Sequence, residues 1–278
     1  MADGTLYRLT AFSDRPEGGN RAGVWIGDVL PDAATMQKIA ADVGYSETAF
    51  IAPAAGHERT VRYFSPVAEV SFCGHATIAA GVKLGELDGE GRYTLSASVG
   101  DVKVDVHREG TSFVASLTSV TPRHEAASPE LLAGALAALH WQARELAKDL
   151  PPAKAYAGAW HLVLPVAERA RLEQLDYDFD QLKSLMLANE LTTLQLIWRE
   201  SADVIHSRNP FPVGGVVEDP ATGAAAAALG GYLRDAGFIN APAGFQIRQG
   251  ETMGRPSLLK VEVPEEGGIV VSGTAVNL

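Results

Sequence analysis

Three short stretches of the 278-residue chain carry side chains able to move a proton. The first runs from Val70 to Gly81, where Cys73, Gly74 and His75 lead into a series of small apolar residues. The second is Tyr45-Ser46-Glu47-Thr48-Ala49-Phe50-Ile51, a single carboxylate among largely apolar neighbours. The third is Glu218-Asp219-Pro220-Ala221-Thr222-Gly223, followed by alanine from Ala224 to Ala228. A helix N-terminus presents unpaired N–H groups and a partial positive charge, and so attracts carboxylates. If Gly74 and Gly223 each open a helix, they bring that backbone close to a ligand with no Cβ in the way. A small carboxylate held by the two helix mouths is the inference.

Each candidate has a structural reading beside the chemical one. His75 at a helix mouth can donate or accept a proton; it can equally be a cap or a core histidine satisfied by backbone. Asp219-Pro220 suits an N-cap followed by the first helical residue, and a capping carboxylate can still orient a substrate group. Glu47, partly withdrawn from water, is suited to act as both acid and base, or else faces solvent from an edge strand. Cys73 is the sole cysteine, so a racemase built on two opposed thiols is excluded by count. A Cys-His hydrolase lacks a third, orienting residue, and Cys73 reads as a small packing residue near the site. The other histidines, His57, His107, His124, His140, His161 and His206, have no metal-ligand spacing, and no phosphate loop or dinucleotide fingerprint is present. No cofactor, metal or nucleotide is expected.

The elements that must hold these groups follow from periodicity. Thr5 to Phe12 and the segment around Val24-Trp25-Ile26 read as a hairpin broken at Pro16 to Asn20. Asp32 caps a helix that Gly44 ends. Arg59 to Ser65 alternates as a strand, and the helix from His75 to about Gly85 is apolar on every side, as a buried helix is. Strands at 92–96, 102–106 and 113–117 should wrap it. Thr121 to Glu125 is the expected linker, dividing the chain into domains at 1–122 and 123–278. Beyond it come a helix from Glu130 to His140, a strand at 160–164, a helix through Phe179 and Met186, and strands at 194–198 and 203–206. A second buried helix is expected from Pro220 to about Arg234, with closing strands after it that either stay with the second domain or cross back to the first. Pro66 precedes His75 by nine residues and Pro210 precedes Asp219 by nine, so the order of elements repeats. Related halves would place the two helix mouths across one interdomain cleft, where ligands commonly bind.

Composition narrows the partners. The hydrophobic fraction of 46% is ample for real cores, and a net charge of −11 with no basic run argues against nucleic acid. No apolar run is long enough to span a membrane and the N-terminus has no leader pattern. A soluble, cytoplasmic protein acting on a small carboxylate is expected.

Taken together, these residues resemble the PhzF-like phenazine-biosynthesis isomerase family, which shares the diaminopimelate epimerase fold. The resemblance covers nearly the whole chain and rests on Gly19-Asn20-Arg21-Ala22-Gly23, Ser46-Glu47-Thr48, Tyr63-Phe64-Ser65-Pro66, Cys73-Gly74-His75-Ala76-Thr77, Asp219-Pro220-Ala221-Thr222-Gly223 and Gln249-Gly250-Glu251. It implies an α+β fold of two similar domains, each a curved sheet or barrel around a central buried helix, and commonly a homodimer. It implies Glu47 as the acid/base, assisted by His75 and Asp219. Asn20, Gly74, Thr222, Gly223 and Ala224 are the implied substrate-binding positions. The implied reaction is a cofactor-free proton shift between carbons of a small cyclic amino or hydroxy acid. Two alternatives stay open: an inactive carboxylate-binding protein, suggested by Ala224 where the family has serine, and a one-thiol racemase using Cys73. Arg21 replaces the family's proline and could recruit a further anionic group.

Overall fold

A computed structural model describes residues 3–278. The chain divides into two compact units: one runs to Thr118 and takes back Ser272–Leu278, and the other is Ser119–Val271.

In the first unit, β1 (Gly4–Ala11) and β2 (Asn20–Gly27) form an antiparallel hairpin in continuous register from Gly4↔Gly27 to Ala11↔Asn20. Its turn requires glycine at position 19, where φ is +68° and an added Cβ would lie 2.3 Å from the Ala11 carbonyl oxygen. Helix α1 (Ala33–Val43) starts where the Asp32 carboxylate accepts the Thr35 N–H at 2.9 Å and stops at left-handed Gly44. Strand β3 (Glu47–Pro53) pairs parallel with β2, and β4 (Glu58–Phe64) turns back antiparallel on β3. After the short β5 (Glu69–Val70) come helix α2 (Gly74–Asp88) and strands β6 (Gly91–Ala97), β7 (Gly100–Glu109) and β8 (Ser112–Thr118). The C-terminal strand Val270–Asn277 pairs with both β8 and β1. These pairings close a ring with α2 inside it.

Every residue of α2 from His75 to Gly85 is buried. Small side chains make that possible. A Cβ on Gly81 would sit 2.7 Å from Val104 Cγ1 and 2.8 Å from Ala115 Cβ, and one on Gly85 would meet Val106 and Phe113 just as closely. The one charge in the run, Lys83, is paired with Glu86 and lies over the Tyr7 ring at 4.6 Å, which offsets the cost of burying it.

The second unit contains β9 (Arg123–Ala126), α3 (Pro129–Ala138), β10 (Ala153–Tyr156), β11 (Trp160–Pro165), α4 (Arg169–Glu173) and α5 (Phe179–Ala188). It continues with β12 (Leu191–Arg199), β13 (Val204–Pro210), β14 (Glu218–Asp219), α6 (Gly223–Asp235), β15 (Ala243–Gln249) and β16 (Ser257–Val263). Its pairings repeat those of the first unit. The steps β10–β11, β11–β12, β12–β13, β13–β15 and β15–β16 are antiparallel, parallel, antiparallel, parallel and antiparallel. The series from β1 through β2, β3, β4 and β6 to β7 has the same signs. Helix α6 is buried from Ala225 to Leu233. Each unit is thus a curved sheet around a buried helix, an α+β fold in duplicate.

Two local expectations are corrected. Arg123 to Glu125 is no loose linker but lies in β9, held by pairing with β10 and by Arg123 stacking over Tyr156 at 4.4 Å. The second buried helix begins at Gly223, not Pro220, because Glu218–Asp219 is drawn into a strand pair with Asn209 and Pro210. The repeat therefore matches Gly74 with Gly223 and Cys73 with Thr222, each the residue before its helix.

Replacing Gly81 by alanine should destabilise the protein by up to about 2 kcal/mol. Overpacking against Val104 and Ala115 costs about 1–3 kcal/mol, and the gain in helix propensity returns about 1 kcal/mol. Urea unfolding should show a lower midpoint with unchanged slope.

Candidate active site

In the first unit, four candidate residues converge from three elements. Asn20 is the first residue of β2 and Glu47 the first of β3; because these strands run parallel with Ala22 opposite Glu47, both emerge at the same end of the sheet. The return of β5 on β4 carries the chain into α2, whose opening residues are Gly74 and His75. Cys73 is the residue before the helix, and its carbonyl is tied by the Thr77 hydroxyl at 2.7 Å. Thr77 in turn pairs with Tyr63 at 2.7 Å, a phenol whose burial pushes its pKa well above the usual value.

The imidazole of His75 is the hub. Asn20 presents its side-chain nitrogen to His75 Nδ1 at 3.3 Å. Nε2 faces Ser46 Oγ at 3.3 Å and Glu47 Oε2 at 3.4 Å. Cys73 Sγ lies 3.4 Å from the same Glu47 oxygen and 3.4 Å from His75 Nδ1. The Glu47 side chain is 20% exposed and that of His75 9%. The carboxylate is thus neither solvent-facing on an edge nor locked in an arginine pair. Beside it Gly74 leaves open space, since a Cβ there would meet no atom nearer than Phe72 Cε1 at 4.0 Å. A small ligand can approach the first N–H groups of α2 across that bare backbone.

The second unit holds the other predicted residues, around the mouth of α6. Asp219 does not cap this helix. Its carboxylate accepts the Thr222 hydroxyl at 2.6 Å, and Gln249 ties the segment together. Gln249 accepts the Thr222 N–H at 3.1 Å and donates to the Asp219 carbonyl at 2.7 Å and to Thr222 Oγ1 at 2.9 Å. The adjacent Glu218 carboxylate is buried and held by Arg208 in a bidentate pair. Thr222, Gly223 and Ala224 are partly exposed at the start of the helix. Behind this segment, buried Asn209 opposes Asp219 in the strand pair and donates to Thr193 Oγ1 at 3.2 Å; Thr193 also bonds His161 Nδ1 at 2.8 Å.

Sequence reasoning underrated three residues. Cys73 touches both Glu47 and His75 and is more than packing. Ser46 and Gln249 were visible only as letters of motifs, and Gln249 lies 27 residues from the Thr222 it holds. Arg21 is exposed, its guanidinium 5.9 Å from the Tyr45 ring centre.

Residues 9–278 match the family model described as phenazine biosynthesis-like protein, PhzC-PhzF. The chain belongs to the PhzC-PhzF family. Among PhzC-PhzF relatives, the uncharacterized isomerase YddE of Escherichia coli (strain K12) is 30% identical over 98% of this chain and 96% of its own. The trans-2,3-dihydro-3-hydroxyanthranilate isomerase of Pseudomonas chlororaphis is 31% identical over 90% of this chain and 87% of its own. A solved structure of a predicted epimerase from Pseudomonas aeruginosa superposes with a TM-score of 0.85 at 26% identity, covering 99% of this chain and 97% of that one. This PhzF-like chain is an isomerase by family. Among the described residues no helix is long and apolar enough to cross a membrane.

Full burial pushes the His161 imidazole down from its ordinary 6.5 to about 3. The folded state therefore keeps it neutral while the unfolded chain takes up a proton below pH 6.5. Its contribution is intact above that pH and is lost as the pH falls toward 3. Between those limits wild-type stability should fall faster than that of His161→Phe, by up to about 1.4 kcal/mol per pH unit. Denaturant titrations of both proteins across this window check the difference.

Proposed function

We propose that this chain is a cofactor-independent isomerase that moves a proton between two carbons of a small cyclic amino or hydroxy carboxylic acid, with Glu47 as the group that takes and returns it. The observation that carries the reading is the setting of Glu47: a partly exposed carboxylate, 3.4 Å from both His75 Nε2 and Cys73 Sγ, beside the open mouth of a buried helix. A partly exposed carboxylate with one oxygen contacted by an imidazole and a thiol is suited to general base and then general acid work on one ligand face.

In this reading the substrate carboxylate sits at the first N–H groups of α2, where Gly74 admits it closely. Glu47 removes a proton from a saturated ring carbon. The electron pair left behind moves through the adjoining double bond, and the protonated Glu47, exposed enough to trade its proton with solvent, delivers a proton to the far carbon. Nothing is oxidised or reduced, and a single base suffices. His75, oriented by Asn20, steers Glu47 and supports the carboxylate charge it carries before the first transfer and after the second. Asp219 is assigned the assisting role and Thr222, Gly223 and Ala224 the carboxylate-holding role that the resemblance gives them; the hydrogen bonds from Thr222 and Gln249 keep that segment ordered for such a task. A soluble, cytoplasmic homodimer without a cofactor belongs to the same proposal.

The substrate class follows the name of the Pseudomonas chlororaphis relative, whose substrate is a dihydro-hydroxyanthranilate. Ala224 and Arg21, where the family has serine and proline, point to a substrate that differs in its polar groups. A second reading keeps Cys73 as the proton carrier of a one-thiol racemase: its Sγ stands at the same helix mouth, 3.4 Å from Glu47 Oε2, so the opposed group would come from another residue.

A screen of small cyclic carboxylates for deuterium uptake from heavy water tests both. Glu47→Gln should lower exchange by about 10²–10⁴-fold with ligand binding little changed, and Cys73→Ser should keep exchange within about tenfold of wild type. Loss in Cys73→Ser with retention in Glu47→Gln selects the racemase. Thermal stabilisation by many carboxylates without exchange of any makes the protein a binder.

A further inference from the structure

The same three side chains have a second chemistry. Glu47 Oε2, Cys73 Sγ and His75 Nε2 each offer one metal-ligating atom, all within 4.8 Å of one another. Their separations are 3.4 Å between sulfur and carboxylate oxygen, 3.4 Å between oxygen and ring nitrogen, and 3.8 Å between sulfur and that nitrogen. A tetrahedral Zn²⁺ holds sulfur at about 2.3 Å and nitrogen or oxygen at about 2.0–2.1 Å, which sets ligand–ligand edges of about 3.6 Å to sulfur and about 3.4 Å between nitrogen and oxygen. The three edges match one triangular face of that tetrahedron, and because Cys73 Sγ also lies 3.4 Å from Nδ1, the imidazole turns on binding to aim Nε2 at the shared centre.

We infer that Glu47, Cys73 and His75 form a binding site for a single thiophilic divalent cation, Zn²⁺, with its fourth position open on the side where Gly74 leaves space. One thiolate, one imidazole and one carboxylate favour zinc over magnesium or calcium, which prefer all-oxygen sites. Outer partners that such sites use are present: Asn20 at the other ring nitrogen of His75, which with its amide turned accepts the Nδ1 proton, and Thr77 fixing the Cys73 carbonyl. Coordination releases the thiol proton, so affinity rises with pH. It also occupies the Glu47 lone pair and the His75 nitrogen facing it. If Glu47 is the proton carrier, the zinc-loaded enzyme is switched off and a chelator restores it. That consequence rests on the proposed function; the binding does not.

Cobalt(II) makes the test specific, because Cys73 is the sole cysteine and any thiolate-to-cobalt charge-transfer band must come from it. Chelator-treated, untagged protein titrated with Co²⁺ should develop this near-ultraviolet band, saturate at one equivalent and lose it when Zn²⁺ is added. Cys73→Ser should abolish the band. Glu47→Gln and His75→Gln should each weaken binding beyond the roughly 10–100-fold that changes to outer partners cause. Cobalt uptake with no thiolate band, or a band of unchanged affinity in both Glu47→Gln and His75→Gln, overturns the site. If Cys73→Ser fails to fold by circular dichroism, the wild-type band and the other two variants decide. A band in wild type together with undiminished deuterium exchange in Glu47→Gln would instead reject the proposed function and leave the site standing.

Discussion

The close approach of a helix of small residues to the strands that enclose it is the constraint on which the first unit depends. An α-helix with ordinary side chains is about 10–12 Å across, too wide for a tight ring of strands. Glycine at 81 and 85 and alanine at 76, 79 and 80 reduce α2 to little more than its backbone on the faces toward β7 and β8. In return, Val104, Val106 and Phe113 fill the space that helix side chains would have taken. A helix buried on all sides has its backbone bonds satisfied internally everywhere but at its ends. Its N-terminus is therefore the place where unpaired polar groups must meet either solvent or a ligand.

That constraint locates the chemistry. Strands β2 and β3 are parallel neighbours, so the first residue of each, Asn20 and Glu47, comes out at one end of the sheet, and the β4–β5 turn delivers Cys73, Gly74 and His75 to meet them. Glu47 is held by hydrogen-bonding neighbours and not by a cation. A carboxylate bound at both oxygens by arginine, as Glu218 is by Arg208, has neither oxygen left to face a ligand. The two glutamates, one in each unit, differ in this: Glu218 is tied down by arginine and Glu47 is not.

The second unit repeats the scaffold and changes the ends. Thr222 stands where Cys73 stands in the first unit, and Asp219 lies on the strand that precedes the helix, as Val70 does. A hydroxyl in place of a thiol removes the second acid/base of a two-thiol racemase while keeping a polar group at the helix mouth. The first unit's mouth gathers a thiol, an imidazole and a carboxylate, and the second unit's gathers amide, hydroxyl and carboxylate groups bound to one another through Gln249. The first arrangement suits proton transfer, and equally a thiophilic cation; the second suits recognition.

The sequence by itself determined a good deal. The cap at Asp32, the stop at Gly44, the two all-apolar helices, the alternating strands and the motif residues Glu47, His75 and Asp219 were legible because each depends on local periodicity or on one short segment. The linker at 121–125 and the helix start at Pro220 were misread for one reason. A strand partner outside the segment itself, β10 for Arg123 and β13 for Asp219, overrode the local preference for loop and cap. Only the tertiary structure decided that Cys73 shares an oxygen of Glu47 with His75, or that Gln249 holds Thr222. Those contacts join residues 26 to 28 positions apart, and their distances are set by how strands register around a buried helix. Residue types and spacing could name the groups that do chemistry, but not which of them touch.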